Sequence, residues 1–502
     1  MSKKLTIREK STLLTIFASF VPNVAIMILG AIKTKYIITY LGSDSNGIYQ
    51  TMLHLGSLVI FGNLGLASIF KIAYYKHLAH NDKEKVTEIY NYSKIFFKKI
   101  TYIMIVISAF ISILAIFFIK SDLPIYQIVI LQFLVCAPNI LHFYTGKEIT
   151  LLSARQKEYI YLIMHNVIYI IRLIISLFII QTTNNLFLFL CVDMVIASMC
   201  FLYIEKVLKN DNKDVLTETE KKDKTPITFS KYIIPSKVSD TIFLNIDTVI
   251  ISSMISNVMV SVYAAYIYIA NCLVTLEKYI INSLTNSLGN LYYSEDNYKQ
   301  RVTDEIILLS TFIFLSMCVP LTVGMESFVS KIWINDASYV LDIITYVFIC
   351  IYYLLYSVRL LSNLFEESTG SYKETCNINI IQMFANIVLS IILCIFFGMK
   401  GVIFATILIL APFEIVKIKK CLKTIGADIN KKIFLVFSLL STVEILLSIY
   451  ILKLIIIDSI YIWLIYMLII FSISIVINSV IYSIIFKDFR HLLVKLKKKI
   501  VK

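Results

Sequence analysis

Apolar runs of membrane-spanning length recur along the whole chain, separated by short basic or polar segments. A helix of roughly 20 apolar residues crosses a bilayer, and on that measure the pattern predicts about fourteen spans. They are 12–32, 47–70, 101–119, 124–146, 158–181 and 185–205, then 232–256, 260–286, 304–324, 340–364, 378–397, 401–416, 433–455 and 460–486. The predicted fold class is an all-α polytopic membrane protein. Segment 206–231 is charged and poor in apolar residues, and it is the one clear linker. It divides the chain into an N-terminal six-helix lobe (1–205) and a C-terminal six-helix lobe (232–416). Two additional spans (417–486) and a basic tail (487–502) follow.

Composition agrees with this reading. Of 502 residues, 58% are hydrophobic and 16% charged, and the mean hydropathy is +0.81. The net charge of +14 does not indicate nucleic acid, because the basic residues lie in short segments between apolar spans. Most of them fall in 71–100, 206–231, 417–432 and 487–502. By the positive-inside rule these segments are cytoplasmic, and an even number of spans then leaves both termini inside. Trp333 and Trp463 fall at predicted outer boundaries, where indoles prefer to sit. The first apolar run exceeds the usual length of a signal peptide core, so it is read as a retained span.

One span stands apart. Residues 232–256 are long and apolar enough to cross, yet they carry Lys237, Asp240 and Asp247. A charge at the bilayer centre costs about 2.5–3.5 kcal/mol on insertion scales, so such residues face a protein interior or a watery cavity. At 100° per residue, Asp240 and Asp247 point in nearly the same direction, about 10 Å apart along the axis. Lys237 lies one turn before Asp240. A self-neutralised Lys237–Asp240 pair explains two of the three charges and leaves Asp247 unexplained. Pro235 in this span and Pro22–Asn23 in span one permit bends, which membrane helices tolerate beside a cavity or neighbouring helices.

Other spans carry Arg172, Asp193, Glu277, Lys278, Arg359, Glu414, Glu444 and Lys453. Lys237, Lys278 and Arg359 fall in the cytoplasmic half of the bilayer, Arg172 beyond its middle, and Lys33 at the outer end of span one. Cations spread over depth in both lobes suit the passage of an anion, and phosphate fits because Arg and Lys bind it by charge-assisted hydrogen bonds. The competing reading of each cation is an internal ion pair, with Arg172–Asp193 the most obvious one.

The two lobes are weakly repeated. Sliding the chain by 214 residues lays YLGSDSNGIY, ending at Tyr49, on MISNVMVSVY, ending at Tyr263. Gly47 then meets Ser261, Asn23 meets Lys237 and Lys33 meets Asp247. Repeated halves are common in transporters, with substrate at their interface. In the tail, Phe489, Leu492, Leu493, Leu496 and Ile500 recur near helical spacing among lysines. That suits a helix on an anionic leaflet, and equally a solvated basic tail.

Enzyme signatures are missing from the sequence: there is no HExxH, GxSxG, Walker A or dinucleotide turn. Adjacent Glu366 and Glu367 diverge on a helix and form no carboxylate pair. The nine cysteines and six histidines lack ligand spacing, so neither a metal site nor another cofactor is indicated. A membrane-embedded polymerase or acyltransferase would need a catalytic cluster near a sizeable outer loop, and neither is present. With no ATPase motif, transport would draw on an ion gradient, with H⁺ or Na⁺ as coupling ion, or on the substrate gradient itself.

Four stretches carry a resemblance: YLGSDSNGIYQ at 40–50, SARQKEYIYLI at 153–163, IDTVIISSMISNVMVSVYAAY at 246–266, and GSYKETCNINIIQMFANIVLSIILCIFFGMKGVIFATIL at 370–408. In the last, Asn386, Leu393, Gly398, Gly401 and Thr406 fall where the family that the chain resembles commonly has such residues. Over nearly its whole length the chain resembles the Wzx-type polysaccharide flippases, of the MATE-like MOP superfamily that also holds the MATE drug exporters and lipid II flippases. The resemblance implies two six-helix lobes around a central cavity plus two C-terminal helices. It also implies a multi-pass protein of the bacterial cytoplasmic membrane. The implied activity moves polyprenyl-pyrophosphate-linked oligosaccharide repeat units to the outer leaflet for O-antigen, capsule or exopolysaccharide assembly. The expected substrate is of the undecaprenyl-pyrophosphate type. Membrane lipids, a polysaccharide polymerase and glycosyltransferases are the expected partners, and the expected state is a monomer. Lys237, Lys278, Arg359, Arg172 and Asn23 are the expected substrate-binding residues, with Asp240 and Asp247 as ion-coupling or cavity acids. These cations match no fixed family motif, so their assignment rests on depth and charge. The alternative is a MATE-like cation-coupled multidrug exporter, in which the two acids would bind the ion and a cationic drug.

Overall fold

The computed structural model describes residues 7–59, 66–80, 82–212, 230–282, 288, 299–454 and 459–500. Among these residues nearly all are helical and none forms a strand. The helices are α1 Ile7–Tyr36, α2 Gly42–Ser57, α3 Leu66–Ala79, α4 Lys83–Phe118, α5 Ile125–Ala154, α6 Glu158–Thr183, α7 Leu186–Asp211, α8 Ser230–Met254 and α9 Asn257–Asn282. They continue as α10 Lys299–Ser327, α11 Ile343–Thr369, α12 Tyr372–Phe397, α13 Met399–Thr424, α14 Lys431–Leu454, α15 Ile460–Ile485 and α16 Lys487–Ile500. Contacts divide the chain into two compact units, Met1–Ser261 and Val262–Lys502.

The protein is a multi-pass membrane protein. Twelve helical runs among the described residues are long and apolar enough to cross a bilayer, against about fourteen expected. Two features account for the difference. Helix α1 passes through a π-turn, Ile37–Leu41, directly into α2, so that Phe20–Ser57 is one helical run where two spans were expected. The chain turns within that run at Gly42, whose φ of 88° favours glycine. Expected span two then splits into α2 and α3, with residues 60–65 outside the described set. The other feature is α8, whose every 18-residue window holds at least three of Lys231, Lys237, Asp240 and Asp247. Its charge sets it apart from its neighbours.

Outward faces are apolar, as lipid contact requires: Val106, Phe117, Phe178, Phe396, Leu468 and Ile484 are all largely exposed. A soluble monomer would not display so much apolar surface. Helices also run past their expected ends. Segment 71–100, read as a polar loop, is mostly α3 and the first half of α4, and α13 continues from the expected end at 416 to Thr424. Most of the expected linker lies outside the described residues, as does the side chain of Lys453.

In the first unit, α1 packs on α6, α6 on α7, α5 on α4 and α7, and α8 on α2. The repeat-related stretches meet here. Asn46 Nδ2 donates to Ser261 Oγ at 2.7 Å, and Asn257 Nδ2 to Asp44 Oδ1 at 3.1 Å. A Cβ at Gly47 would stand 1.8 Å from the Asn257 carbonyl oxygen, so this approach requires glycine.

In the second unit, α10 packs against α11, α14 and α15, and α11 and α12 both pack against α13. The residues that carried the family resemblance make the α12–α13 hairpin. Gly398 ends α12 with φ 61°, a Cβ at Gly401 would meet the Leu393 carbonyl at 2.1 Å, and Thr406 donates to Asn386 Oδ1 at 3.1 Å. Trp463 Nε1 donates to the Gly324 carbonyl at 2.9 Å, and Trp333 and Trp463 flank Phe328 at one end of the unit. The tail is helical from Lys487 to Ile500, the first of the two readings its spacing allowed. Phe489 is buried against Phe312 and Tyr482, so this residue serves the unit's own core.

Candidate functional site

The most developed charged cluster of the first unit is built on α1, α6 and α7. Asp193, fully buried on α7, accepts from Arg172 Nε at 2.7 Å and Nη2 at 2.8 Å. Lys33 Nζ reaches the same carboxylate at 3.0 Å, and Ser176 Oγ donates to it at 2.6 Å. Lys33 also donates to Tyr49 Oη at 3.0 Å and lies over the Phe189 ring. Arg172 stacks toward Tyr169. The Arg172–Asp193 pair is therefore present as the sequence suggested, and Lys33 joins it. Two cations share one carboxylate, which leaves a local excess of one positive charge. Side-chain exposure is 7% for Lys33 and 14% for Arg172, so Arg172 is the more accessible of the two. An excess charge at this burial calls for a counter-anion.

The span-seven residues lie on α8. Asp240 and Asp247 are buried, at 8% and 4% exposure, and Lys237 is half-buried. Beside them His54 Nδ1 and Asn245 Oδ1 are 2.7 Å apart, linking α2 to α8. Asn23 is half-buried on α1, which continues through Pro22.

In the second unit, Arg359 is buried against Glu414, with Nη1 3.5 Å from Oε1. Glu414 also accepts from Ser362 Oγ, and from Gln382 Nε2 at 3.1 Å. The internal-pair reading of Arg359 thus has a geometry, and a substrate phosphate would have to compete with Glu414 for it. A second node joins the same helices: Lys417 Nζ lies 3.3 Å from Glu366 Oε2 and donates to Asn363 Oδ1 at 2.9 Å, while Thr375 donates to Glu366. Glu367 is exposed where Glu366 is buried, so the adjacent acids do diverge. Glu277 and Lys278 diverge in the same way. Glu277 is buried and accepts from Tyr353 Oη and from Ser357 Oγ at 2.7 Å, whereas Lys278 is exposed.

Sequence reasoning missed Lys417, because its apolar span appeared to stop at Val416. It also missed the node in which Glu148 accepts from Tyr90 Oη and from Asn212 Nδ2 at 2.8 Å, with Lys147 3.2 Å from Glu205 alongside. A pocket of about 350 Å³ lies at one end of α10, beside Glu326, Ser330, Lys331 and Asp336. None of the sequence-derived candidates lines it.

Among solved structures, the chain is similar to the lipid II flippase MurJ in an inward closed conformation, with a TM-score of 0.66 and 14% identity over 94% of this chain and 99% of that one. It is also similar to an inward-facing MATE-family multidrug resistance transporter of the MOP superfamily, at TM-score 0.57 and 12% identity, covering 80% and 94%. A third likeness is to the MATE multidrug transporter DinF-BH, at 0.55 and 14%, covering 82% and 94%. No family model and no curated protein sequence matches. At these identities the likeness establishes the fold: the chain has the MATE-like helical architecture that the resemblance implied.

Proposed function

We propose that this protein is a MOP-superfamily transporter that flips polyprenyl-pyrophosphate-linked oligosaccharide repeat units from the cytoplasmic to the outer leaflet. On this reading it sits in a bacterial cytoplasmic membrane with both termini inside, and feeds a polysaccharide polymerase from the products of glycosyltransferases. The observation that carries the reading is the Lys33–Asp193–Arg172 cluster, whose two cations and one carboxylate leave charge for an anion to neutralise. Pyrophosphate suits it, since guanidinium and ammonium groups bind phosphate oxygens by charge-assisted hydrogen bonds. The likeness to a lipid flippase over 94% of the chain supports the same class. Arg172 is the primary contact, and Lys237, Lys278 and Asn23 supply further polar contacts along the path. Arg359 contributes only in a state that opens its pair with Glu414.

One observation favours the alternative. Asp240 and Asp247 are both buried on α8, which suits a cation-coupled multidrug exporter. One experiment separates the two. Expression in a bacterium lacking its own repeat-unit flippase is expected to restore surface polysaccharide, with Arg172→Ala restoring much less at equal protein level. Restored resistance to cationic drugs without surface glycan would replace the first reading with the second.

A further inference from the structure

The pocket of about 350 Å³ at one end of α10 takes no part in the proposed transport, and its lining carries both signs of charge. Among the described residues, Glu326, Lys331 and Asp336 line it together with Ser330 and Asn335. Its walls are preformed. Tyr266 Oη donates to the Tyr339 carbonyl at 2.8 Å, and Tyr346 Oη donates to the Thr322 carbonyl. These bonds fix the loop to α9 and the end of α10 to α11. Asp336 N donates to the Ser330 carbonyl at 3.0 Å, and Asp336 Oδ1 accepts from Ser338 N at 2.8 Å. Ser330 Oγ donates to the backbone oxygen of Glu326 at 2.8 Å. The half-buried Glu326 carboxylate itself has neither a hydrogen bond nor an ion pair among the described residues.

Depth sets the kind of ligand. Arg301, near the start of α10, lies 3.8 Å from Asp488 of the tail helix. Glu326 follows 25 residues later, roughly 38 Å along the helix, against roughly 30 Å for the hydrocarbon core of a bilayer. The pocket and the tail therefore lie at opposite faces of the membrane. Trp333 and Trp463 are at the pocket's end of the unit, and indoles collect at the level of lipid headgroups. The carboxylates of Glu326 and Asp336, with the side-chain oxygens of Ser330 and Asn335, are hydrogen-bond acceptors. They select a protonated primary amine, which has three N–H donors, over a quaternary ammonium, which has none. Lys331 adds a cation of the kind that binds phosphate oxygens. Val323, Val340 and Leu452 complete the lining and suit methylene carbons. We infer that the pocket binds an ammonium–phosphate zwitterion, the headgroup of phosphatidylethanolamine, with the amine at Glu326 and the phosphate at Lys331. This binding does not depend on what the protein transports.

Thermal unfolding of the purified full chain in detergent tests this, with phosphatidylethanolamine, phosphatidylcholine or phosphatidylglycerol of the same acyl chains added, or free phosphoethanolamine. The wild type is expected to unfold at a higher temperature with phosphatidylethanolamine than with either other lipid. Glu326→Gln is expected to abolish that preference. Lys331→Gln is expected to raise the half-saturating concentration about tenfold, the loss of one charge-assisted contact. Unfolding temperatures of both variants equal to that of the wild type without added lipid show that the fold is kept. Free phosphoethanolamine that stabilises the wild type as well as the lipid does would assign the pocket to the soluble zwitterion, and a much weaker effect assigns it to the lipid. Equal stabilisation of the wild type by phosphatidylethanolamine and phosphatidylcholine would overturn the inference. So would a preference for phosphatidylethanolamine that is unchanged in both variants.

Discussion

Lys33 and Asp193 lie 160 positions apart in the chain, and their charged atoms are 3.0 Å apart. The α1–α6 and α6–α7 contacts bring this about, and Arg172 holds the other side of the same carboxylate. Asp193 is therefore the single anion between two cations. Asp193→Asn leaves both cations buried without it, a loss of about 3–5 kcal/mol for a broken buried pair. The expected outcome is little folded protein, measured as the monodisperse fraction in fluorescence-detected size exclusion. Lys33→Met leaves the bidentate Arg172–Asp193 pair intact and neutral. It is expected to fold normally and, on the proposed function, to lower glycan export.

At Gly47 the expected effect is steric. A methyl group there would lie 1.8 Å from the Asn257 carbonyl oxygen, which is backbone and has little freedom to give way. Gly47→Ala separates α2 from the start of α9 and strains the Asn46–Ser261 bond. Overpacking of this kind costs about 1–3 kcal/mol. The check is the unfolding temperature of the variant against the wild type in detergent.

How much of this was legible in the sequence depends on the distance over which each feature is set. Spans follow from local apolar runs, so nearly every expected span corresponds to a helix. The Arg172–Asp193 pair was legible because the two residues lie in adjacent spans. Lys33 was placed at a span end and not with Asp193, because that contact depends on which helices pack together. Lys417 was assigned to a loop for a different reason: a buried lysine paired with Glu366 looks, in one dimension, like the first basic residue after a span. The close approach at Gly47 falls inside the 214-residue repeat alignment, but the alignment alone says nothing of contact.

Arg359 and Glu414 provide a double-mutant test of the internal-pair reading. Glu414 keeps partners in Ser362 and Gln382 if Arg359 is lost, yet it loses its compensating charge. Arg359→Leu and Glu414→Gln are each expected to destabilise the protein, and the double variant less than their sum. Contacting residues typically couple by about 0.5–3 kcal/mol. Coupling near zero would mean that Arg359 is held by something other than Glu414, and would return it to the front rank of substrate contacts.

Orientation is checked by reporter fusions at Val215 and Ile425. Lysine and arginine concentrate in 206–231 and 417–432, so both fusions are expected to score cytoplasmic. A periplasmic signal at either would overturn this orientation.

Asp247 offers the sharpest test of ion coupling. It lies on α8 at 4% exposure, two turns beyond Asp240, on a helix that packs against α2 and α4. A buried carboxylate serves either to hold a neighbouring group in place or to bind an ion during the cycle, and the two roles respond differently to Asp247→Asn. The amide keeps the size and the capacity to hydrogen-bond, but it removes the charge. A holding role predicts that folded protein and glycan export fall together, since the lost interaction is present in every state. A coupling role predicts normal protein level and thermal stability with export strongly reduced, and with the dependence of export on the sodium or proton gradient abolished. We expect the second pattern. Export, stability and gradient dependence should therefore be measured on the same membranes. Wild-type export at equal protein level would remove Asp247 from the cycle and take away the main support for ion coupling.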